Sequence, residues 1–489
     1  MQKNLLATIA FILFLLGLSQ SLAQAPVVVK TQDDDTSFYV RLNEPFFGDF
    51  DQMRQRRIIR VLVSYNRTNF FMSDDGTKGI EYELLKSYEN YLNRGPLREK
   101  YQTHLVFVIV PFNQLIDHLL QGHGDIIASG LTITPGRKSL VNFSQPYISN
   151  VSEILVTHPR APKVERLEDL SGKRVIVVSN SSYIVNLEMA NQSLGQAGLA
   201  PIEIVKASPI LDAEDLLELV NAEIYDFTVV DDHIARVWKN AFENIILRDD
   251  MIFHHNGQIG WAVRKQNPKL QQSLNKYIHR YAKPGRFLSN LLYQKYFENP
   301  YWVQRPLSQD ILRQVDYLKP YFQLYADFYD MDWLLVAATA YQESRFQQDR
   351  VSNKGAIGIM QVRPSTARSD AVNIKELNHV EHNIHAGVKY LAHLKEHYFS
   401  TPDYSEQESI NFTLAAYNAG PTRIRQLQRL AERQGLDPYK WFYNVEQLAR
   451  TRIGLETVNY VISIQKHRVS LEAAQKVETE KRLAREDFP

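Results

Sequence analysis

The spacing of apolar residues changes once along the chain. From residue 58 onward, short β-branched runs alternate with amphipathic stretches. Residues 58–63 (IIRVLV) predict a buried strand, and a polar turn follows at Ser73-Asp74-Asp75-Gly76. The segment from Ile80, IEYELLKSYENYL, carries its apolar residues at helical spacing. Residues 104–110 predict a second strand, 112–120 a helix and 125–129 a third strand. Such alternation predicts an α/β sheet, with ligands held at the strand ends. A boundary lies over residues 285–320, where Gly285-Arg286 and an aromatic run lead to Pro306. Pro320 is read as a break before an aromatic-rich helix over 321–329. Beyond it the strand-like alternation disappears, and helices joined by polar loops predict an all-α domain. Residues 24–55 are polar and mixed, with Asp33-Asp34-Asp35, and read as a linker or extended lead-in. The charged tail from Val477 reads as a fraying helix or a disordered end. The expected division is thus 1–23, 24–55, 56–300 and 301–489.

The N-terminus bears on compartment. Lys3 precedes the apolar core at residues 5–18, and Ser21-Leu22-Ala23 fits a small-x-small cleavage site. Residues 1–23 therefore read as a secretory signal peptide, with the mature chain beginning near Gln24. No later run approaches the length of a membrane span. The 489 residues balance 56 basic against 55 acidic side chains, which argues against a nucleic-acid partner. Cysteine is absent. That excludes disulfides, zinc-thiolate sites, a Cys nucleophile and a Cys-linked lipid. Any membrane attachment is then expected to be peripheral.

The candidate chemistry centres on residues 333–362. Trp333, Leu334, Leu335, Val336, Ala337 and Ala338 predict a buried helix with Asp332 as N-cap. Glu343 falls at its C-terminal end, behind that apolar wall. Desolvation raises a carboxyl pKa, and a raised pKa lets Glu keep a proton near neutrality and donate it. A polar loop with Ser352 and Asn353 follows, then the small-residue turn Gly355-Ala356-Ile357-Gly358. Asp349, six residues after Glu343, is the nearest downstream acid; we read it as a loop residue rather than a second catalytic carboxylate. His393 and His397 have metal-compatible spacing, but no carboxylate is arranged as in a zinc-protease helix, so no metal is expected.

Glu343-Ser344, then Ser352 with Gly355-Ala356-x-Gly358-Ile359-Met360-Gln361, resembles the soluble-lytic-transglycosylase family, whose fold is lysozyme-like. Ala415-Ala416-Tyr417-Asn418-Ala419-Gly420-Pro421 and Glu456-Thr457-Val458-Asn459-Tyr460-Val461 follow in the family's order. The resemblance implies that Glu343 protonates the MurNAc–GlcNAc glycosidic oxygen and then serves as base toward the MurNAc C6 hydroxyl. That gives a 1,6-anhydro end without consuming water and needs no cofactor. It further implies substrate contact by Ser352, a groove lined by Met360 and Gln361, and Tyr417 bonding near Glu343 or the sugar. Asn418 accompanies Tyr417, Tyr460 lines the cleft, and Glu456 pairs or caps inside the helical core.

The first module has its own resemblance. Gly79-Ile80-Glu81-Tyr82-Glu83-Leu84, the phrase from Gly124 to Arg137 and Phe143-Ser144-Gln145-Pro146-Tyr147 are similar to extracellular solute-binding proteins of the amino-acid-binding type. Gly260-Trp261-Ala262-Val263-Arg264-Lys265 continues the match. The resemblance implies two lobes closing by a hinge, with lobe one at 56–148 plus 248–298 and lobe two between. It implies that Arg137 clamps a ligand carboxylate, that Thr132 and the backbone near Gly130 add donors, and that Ser182 and Asp231 face it from lobe two. Asp231 is the expected partner of a ligand ammonium. Ser179-Asn180-Ser181-Ser182 departs from the Gly-rich turn usual there, which leaves an amino acid or a small peptide open as ligand.

Together these readings give a multidomain exported protein: a two-lobed α/β module before an all-α lysozyme-like domain. The expected function is lytic cleavage of peptidoglycan in the periplasm, peripheral to the outer membrane, with the first module sensing a ligand. A hydrolytic muramidase and a binding protein with an inactive lysozyme-like tail are the alternatives.

Overall fold

The computed structural model describes residues 41–73, 76–95, 101–298 and 307–486. The apolar core at 5–18 and the cleavage site at 21–23 lie outside the described residues.

The chain begins with α1 (Phe50–Arg56), β1 (Ile58–Val63), the hairpin β2 (Phe71–Ser73) and β3 (Gly76–Lys78), and α2 (Ile80–Leu92). It continues through β4 (His104–Ile109), α3 (Leu115–Leu120), β5 (Ile126–Ile127), α4 (Pro135–Leu140) and β6 (Asn142–Phe143). The strand β7 (Ile148–Thr157) crosses out of this lobe. Lobe two holds β8 (Arg174–Val177), α5 (Ser182–Gln196), β9 (Glu203–Lys206), α6 (Ala213–Asn221), β10 (Phe227–Asp231), α7 (Asp232–Lys239) and β11 (Ile246–Ile259). The chain then re-enters lobe one with β12 (Ala262–Val263), α8 (Pro268–Tyr277) and α9 (Phe287–Tyr293).

Each lobe has a five-stranded sheet, ordered β4-β1-β5-β12-β6 and β11-β7-β10-β8-β9. Strand β1 is buried along its whole length and pairs in parallel with β4 and β5, as its unbroken apolar run requires. Strands β7 and β11 pair antiparallel as far as Ile148↔Ile259. The return to lobe one therefore falls at Gly260 rather than at residue 248. The reason is pairing: β11 stays bonded to β7 through four irregularities in register.

The segment expected as a lead-in belongs to lobe one from residue 41 onward. Asp49 caps α1, accepting from Phe50 N at 2.8 Å, and also accepts from Lys269 N and Leu270 N at the start of α8. Buried Arg60 donates to the carbonyls of Leu42 and Glu44 at 3.1 and 2.9 Å. Its remaining charge meets Asp125, which also pairs with buried Arg264 at 3.0 Å. One carboxylate thus serves two guanidiniums inside the lobe.

After residue 307 the chain is helical: α10 (Gln309–Phe328), α11 (Trp333–Ser344), α12 (Pro364–Ala367), α13 (Val380–Tyr398), α14 (Glu406–Ala419), α15 (Pro421–Arg433), α16 (Glu446–Arg452) and α17 (Glu456–Glu486). Pro320 does not begin a helix but sits inside α10. The buried stripe Val315, Leu318, Phe322, Ala326 continues across it, while Pro320 itself is exposed. Packing along that stripe outweighs one missing backbone bond. The tail from Val477 continues α17 to Glu486, with Val477 buried and Glu480 paired to Arg174 of lobe two at 2.7 Å.

Replacing Asp125 by Ala leaves two buried guanidiniums without a counter-charge. We expect a loss of roughly 3–5 kcal/mol in unfolding free energy, measured by denaturant titration of the purified protein.

Candidate active site and interlobe cleft

Helix α11 begins at Asp332, whose side chain accepts from Leu334 N at 2.9 Å. The helix ends in two consecutive left-handed residues, Arg345 and Phe346, which turn the chain sharply away after Glu343. Ser344 Oγ donates to Ile359 O at 2.8 Å and so fastens the following turn to the helix end.

That turn is held by side-chain hydrogen bonds to its backbone. Ser352 Oγ accepts from Ala356 N at 2.9 Å. Gly358 has φ +79°, and a Cβ there would stand 2.3 Å from Asn383 Nδ2. Asn383, fully buried on α13, accepts from Met360 N at 2.8 Å and donates to Ile357 O and Leu377 O. Sequence reasoning gave Asn383 no task. Its signal was a polar residue at a core position of an otherwise apolar helical face.

Glu343 is half-buried, and Tyr460 OH donates to its Oε1 at 2.6 Å. Burial raises the Glu343 carboxyl to about 7; the Tyr460 bond and the charge of Arg350 oppose the rise, and Glu456 adds to it. Tyr460 comes from α17, so the acid and its donor are brought together by the packing of α11 on α17.

The other expected residues divide. Tyr417 OH donates to Met360 O at 2.8 Å rather than to Glu343. The Met360 side chain is fully buried against Gly387, so it cannot line a groove; only its backbone serves the turn. Gln361 has φ 47° and donates to Arg350 O and Gly358 O at 3.0 and 2.9 Å. Asn418 Oδ1 accepts from Thr457 Oγ1 at 2.7 Å, which joins the third motif to the fourth. Glu456 is exposed in the first turn of α17 and not inside the core. Asp349 is exposed as well.

The five residues expected at a ligand in the first module, Gly130, Thr132, Arg137, Ser182 and Asp231, line one interlobe cavity of about 50 Å³. The Arg137 guanidinium donates to Thr132 O at 2.8 Å and, across the cleft, to Asn180 O at 2.9 Å. Ser182 Oγ donates to Glu153 at 2.6 Å. Asp231 is buried, and its Oδ1 has no hydrogen-bond partner. Burial, then the charges of Glu153 and Asp232, push its carboxyl well above the usual range. Buried Glu81 positions the near wall: it accepts from Gly130 N at 2.9 Å, from Trp261 Nε1 at 2.6 Å and from Tyr147 OH. Its signal in the sequence was an acid one residue into an apolar helix.

The family model of bacterial extracellular solute-binding proteins, family 3, matches residues 59–299, and that of the transglycosylase SLT domain matches residues 320–439. The second match contains Glu343 and ends before Tyr460. Membrane-bound lytic murein transglycosylase F of Desulfosudis oleivorans is 28% identical over 396 residues, covering 80% of this chain and 82% of that protein. The protein of the same description from Pseudomonas fluorescens strain Pf-5 is 26% identical over 434 residues, 85% of each chain. Among solved structures, the P235GK mutant of ArgBP from T. maritima is 23% identical with a TM-score of 0.42, covering 51% of this chain and 99% of that one. The chain thus joins a family 3 solute-binding domain to a transglycosylase SLT domain and is similar over most of its length to proteins described as membrane-bound lytic murein transglycosylase F.

Proposed function

We propose that the chain is a peptidoglycan lytic transglycosylase whose acid and base are both Glu343. The observation that carries the reading is one carboxyl, raised to about 7 by burial and met by a tyrosine hydroxyl. Protonated, it gives its proton to the glycosidic oxygen between MurNAc and GlcNAc, and the C1–O bond breaks. The carboxylate so formed takes the proton of the MurNAc C6 hydroxyl, whose oxygen bonds to C1. The first proton leaves on the GlcNAc oxygen, the C6 proton restores the Glu343 acid, and the product is a 1,6-anhydro end. Tyr460 orients Oε1 and stabilises the carboxylate stage. Ser352 and Gln361 lie in the loop that Ser344 fastens to the end of α11, and Asn418 is bonded to Thr457 on the helix that carries Tyr460, which supports their placement at the glycan; Tyr417 and Met360 hold that turn.

The first module, in this reading, binds an amino acid or small peptide between its lobes. The present closure leaves about 50 Å³, well below the several hundred Å³ of an ordinary ligand site, so entry requires the lobes to part about β7 and β11. Helix α17 links this motion to the acid: Tyr460 holds Glu343, and Lys466 of the same helix pairs with Asp215 of lobe two at 2.6 Å. A ligand that favours one lobe arrangement would thereby alter access to Glu343. Among the described residues no helix is long and apolar enough to cross a membrane. We place the protein in the periplasm, exported by its signal peptide and peripheral at the outer membrane.

Glu343→Gln keeps the shape and removes the proton. We expect muralytic activity on purified sacculi to fall roughly 10²–10⁴-fold. Mass spectrometry of wild-type products should show anhydro ends, lighter by one water than the ends a hydrolase leaves. In the wild type the acid form is lost as pH rises through about 7, so activity should decline there. Tyr460→Phe removes a bond that favours the charged form. Its alkaline limb should move upward by about one pH unit, read from the pH dependence of kcat/KM.

A further inference from the structure

The segment after the candidate acid carries a charge that the rest of the chain does not. From Arg345, which caps the end of α11, to Arg368, which caps the end of α12, it holds Arg345, Arg350, Lys354, Arg363 and Arg368 against one acid, Asp349. The whole chain is balanced to within one charge. The Arg345 guanidinium lies over the Tyr341 ring, 4.4 Å from its centroid. The other four cations are exposed, and among the described residues none of them has an ion pair or a side-chain hydrogen bond. The acids around them do not change this. Asp349, Asp370 and Glu456 are exposed too, and none pairs with these cations. Elsewhere on the surface guanidiniums meet acids: Arg160 pairs with Glu223, Arg174 with Glu480 and Arg236 with Asp249.

Two of the four are fixed at the turn beside Glu343. Val351 and Val362 both bridge antiparallel to Ile357, so Arg350 and Arg363 stand just outside the two outer rows of one small sheet. Arg350 O accepts from Gly358 N at 2.9 Å and from Gln361 Nε2 at 3.0 Å. Ile359, the next residue of that turn, is fastened to Ser344, the neighbour of Glu343. The Arg350 charge accordingly reaches the Glu343 carboxyl. Arg363 stands at the start of α12, and its carbonyl accepts from Ala367 N at 3.0 Å. Burial raises the Tyr390 hydroxyl, and the Arg363 charge opposes the rise. The Tyr390 ring is 5.4 Å from that of Tyr417, which bonds Met360 O. Burial, then the charge of Glu343, raises the Tyr417 hydroxyl in turn. Both guanidiniums thus stem from the turn that passes Glu343, on held backbones and with free side chains.

Like charges gathered on one loop raise the local potential and draw an anionic ligand toward it. The glycan read as substrate carries a matching group. Each MurNAc bears at C3 a lactyl ether that ends in a carboxyl, on the same ring as the C1 that reacts. In a peptide-free strand that carboxyl is ionised. In a peptide-bearing strand it is an amide, and the stem peptide brings carboxylates of its own. A guanidinium pairs with either through two parallel hydrogen bonds.

We propose that Arg350 and Arg363 are specificity-determining residues that pair with carboxylates pendant from MurNAc, so that the site selects anionic glycan strands over uncharged ones. The inference rests on the reading that Glu343 cleaves this glycan, and it adds the charge the strand must carry.

Turnover of soluble glycan strands by the whole mature protein tests it. One set of strands keeps its stem peptides, and the other is stripped of them by an amidase. Half of each set has its carboxylates converted to methylamides. Amidation should lower kcat/KM about three- to tenfold, the range that one or two exposed ion pairs supply. The difference should shrink in about 1 M salt. A fall confined to the stripped strands assigns the lactyl carboxylate, a fall confined to the peptide-bearing strands assigns the stem peptide, and a fall in both assigns both; each supports the pairing. Arg350→Gln combined with Arg363→Gln should bring the ratio of charged to amidated strands to about one, while Lys at both positions should keep part of it. Charged and amidated strands meet the same acid in each variant, so the ratio is free of any change that Arg350→Gln brings to Glu343. An unchanged ratio in the Gln variant overturns the assignment to these two residues. The comparison on the unmodified protein needs no variant to fold. Equal kcat/KM on charged and amidated strands of both kinds overturns the charge selection while the transglycosylase reading stands. Absence of turnover on every strand overturns both.

Discussion

The hydrogen bond from Tyr460 to Glu343 joins two helices that lie more than a hundred residues apart in sequence, and the candidate chemistry depends on that meeting. A carboxyl at a helix end in water keeps an ordinary pKa and spends its proton well below neutrality. Here the apolar body of α11 and the underside of α17 remove water from one side of Glu343. The tyrosine hydroxyl limits how far the carboxyl rises, because it favours the charged form. Both influences are needed for a group that must give a proton and take one back at the same pH. Burial alone would make a poor base, and a fully solvated carboxylate a poor acid.

That arrangement requires the turn after α11 to stay clear of the carboxyl. Asn383 meets the turn's backbone with both ends of its amide, and Ser344 and Tyr417 fasten it at Ile359 and Met360. These are uncharged partners. The loop beside the acid is therefore shaped by groups that do not compete for its proton, and the charges that do bear on it, Arg350 and Glu456, stand on exposed residues.

Much of this was legible in the chain. The unbroken run of β1, the cap at Asp332 and the place of Glu343 at the end of an apolar helix follow from local pattern, and the structure keeps them. What local pattern could not supply is which partner wins. Proline punctuates a helix when nothing else holds the backbone, but in α10 a buried stripe runs across Pro320. Met360 and Gln361 sit side by side, yet one faces Gly387 in the core and the other its own turn, because the left-handed Gln361 rotates the backbone between them. The polar stretch before β1 looks like a linker until Arg60 is seen to need the carbonyls of Leu42 and Glu44. The resemblance put Tyr417 near Glu343 or the sugar and Tyr460 in the lining of the cleft, yet Tyr460 makes the bond to Glu343 and Tyr417 the bond to Met360 O. Only the packing of α17 decides between them.

The same helix sets a constraint on motion. Lys466 is buried and bonded at once to Tyr65 O of lobe one and to Asp215 of lobe two. In the opening proposed above, the loop carrying Tyr65 and the helix carrying Asp215 would separate, and one ammonium could not follow both. The Asp215 bond is an ion pair between buried groups and the Tyr65 bond is to a neutral carbonyl, so the carbonyl is the cheaper one to release. Opening then leaves α17 travelling with lobe two. Asn459, next to Tyr460, is bonded to Met72 O of lobe one at 2.8 Å, and that contact would be pulled by the same displacement. In that proposed opening the strain would fall one residue from the tyrosine that holds the acid.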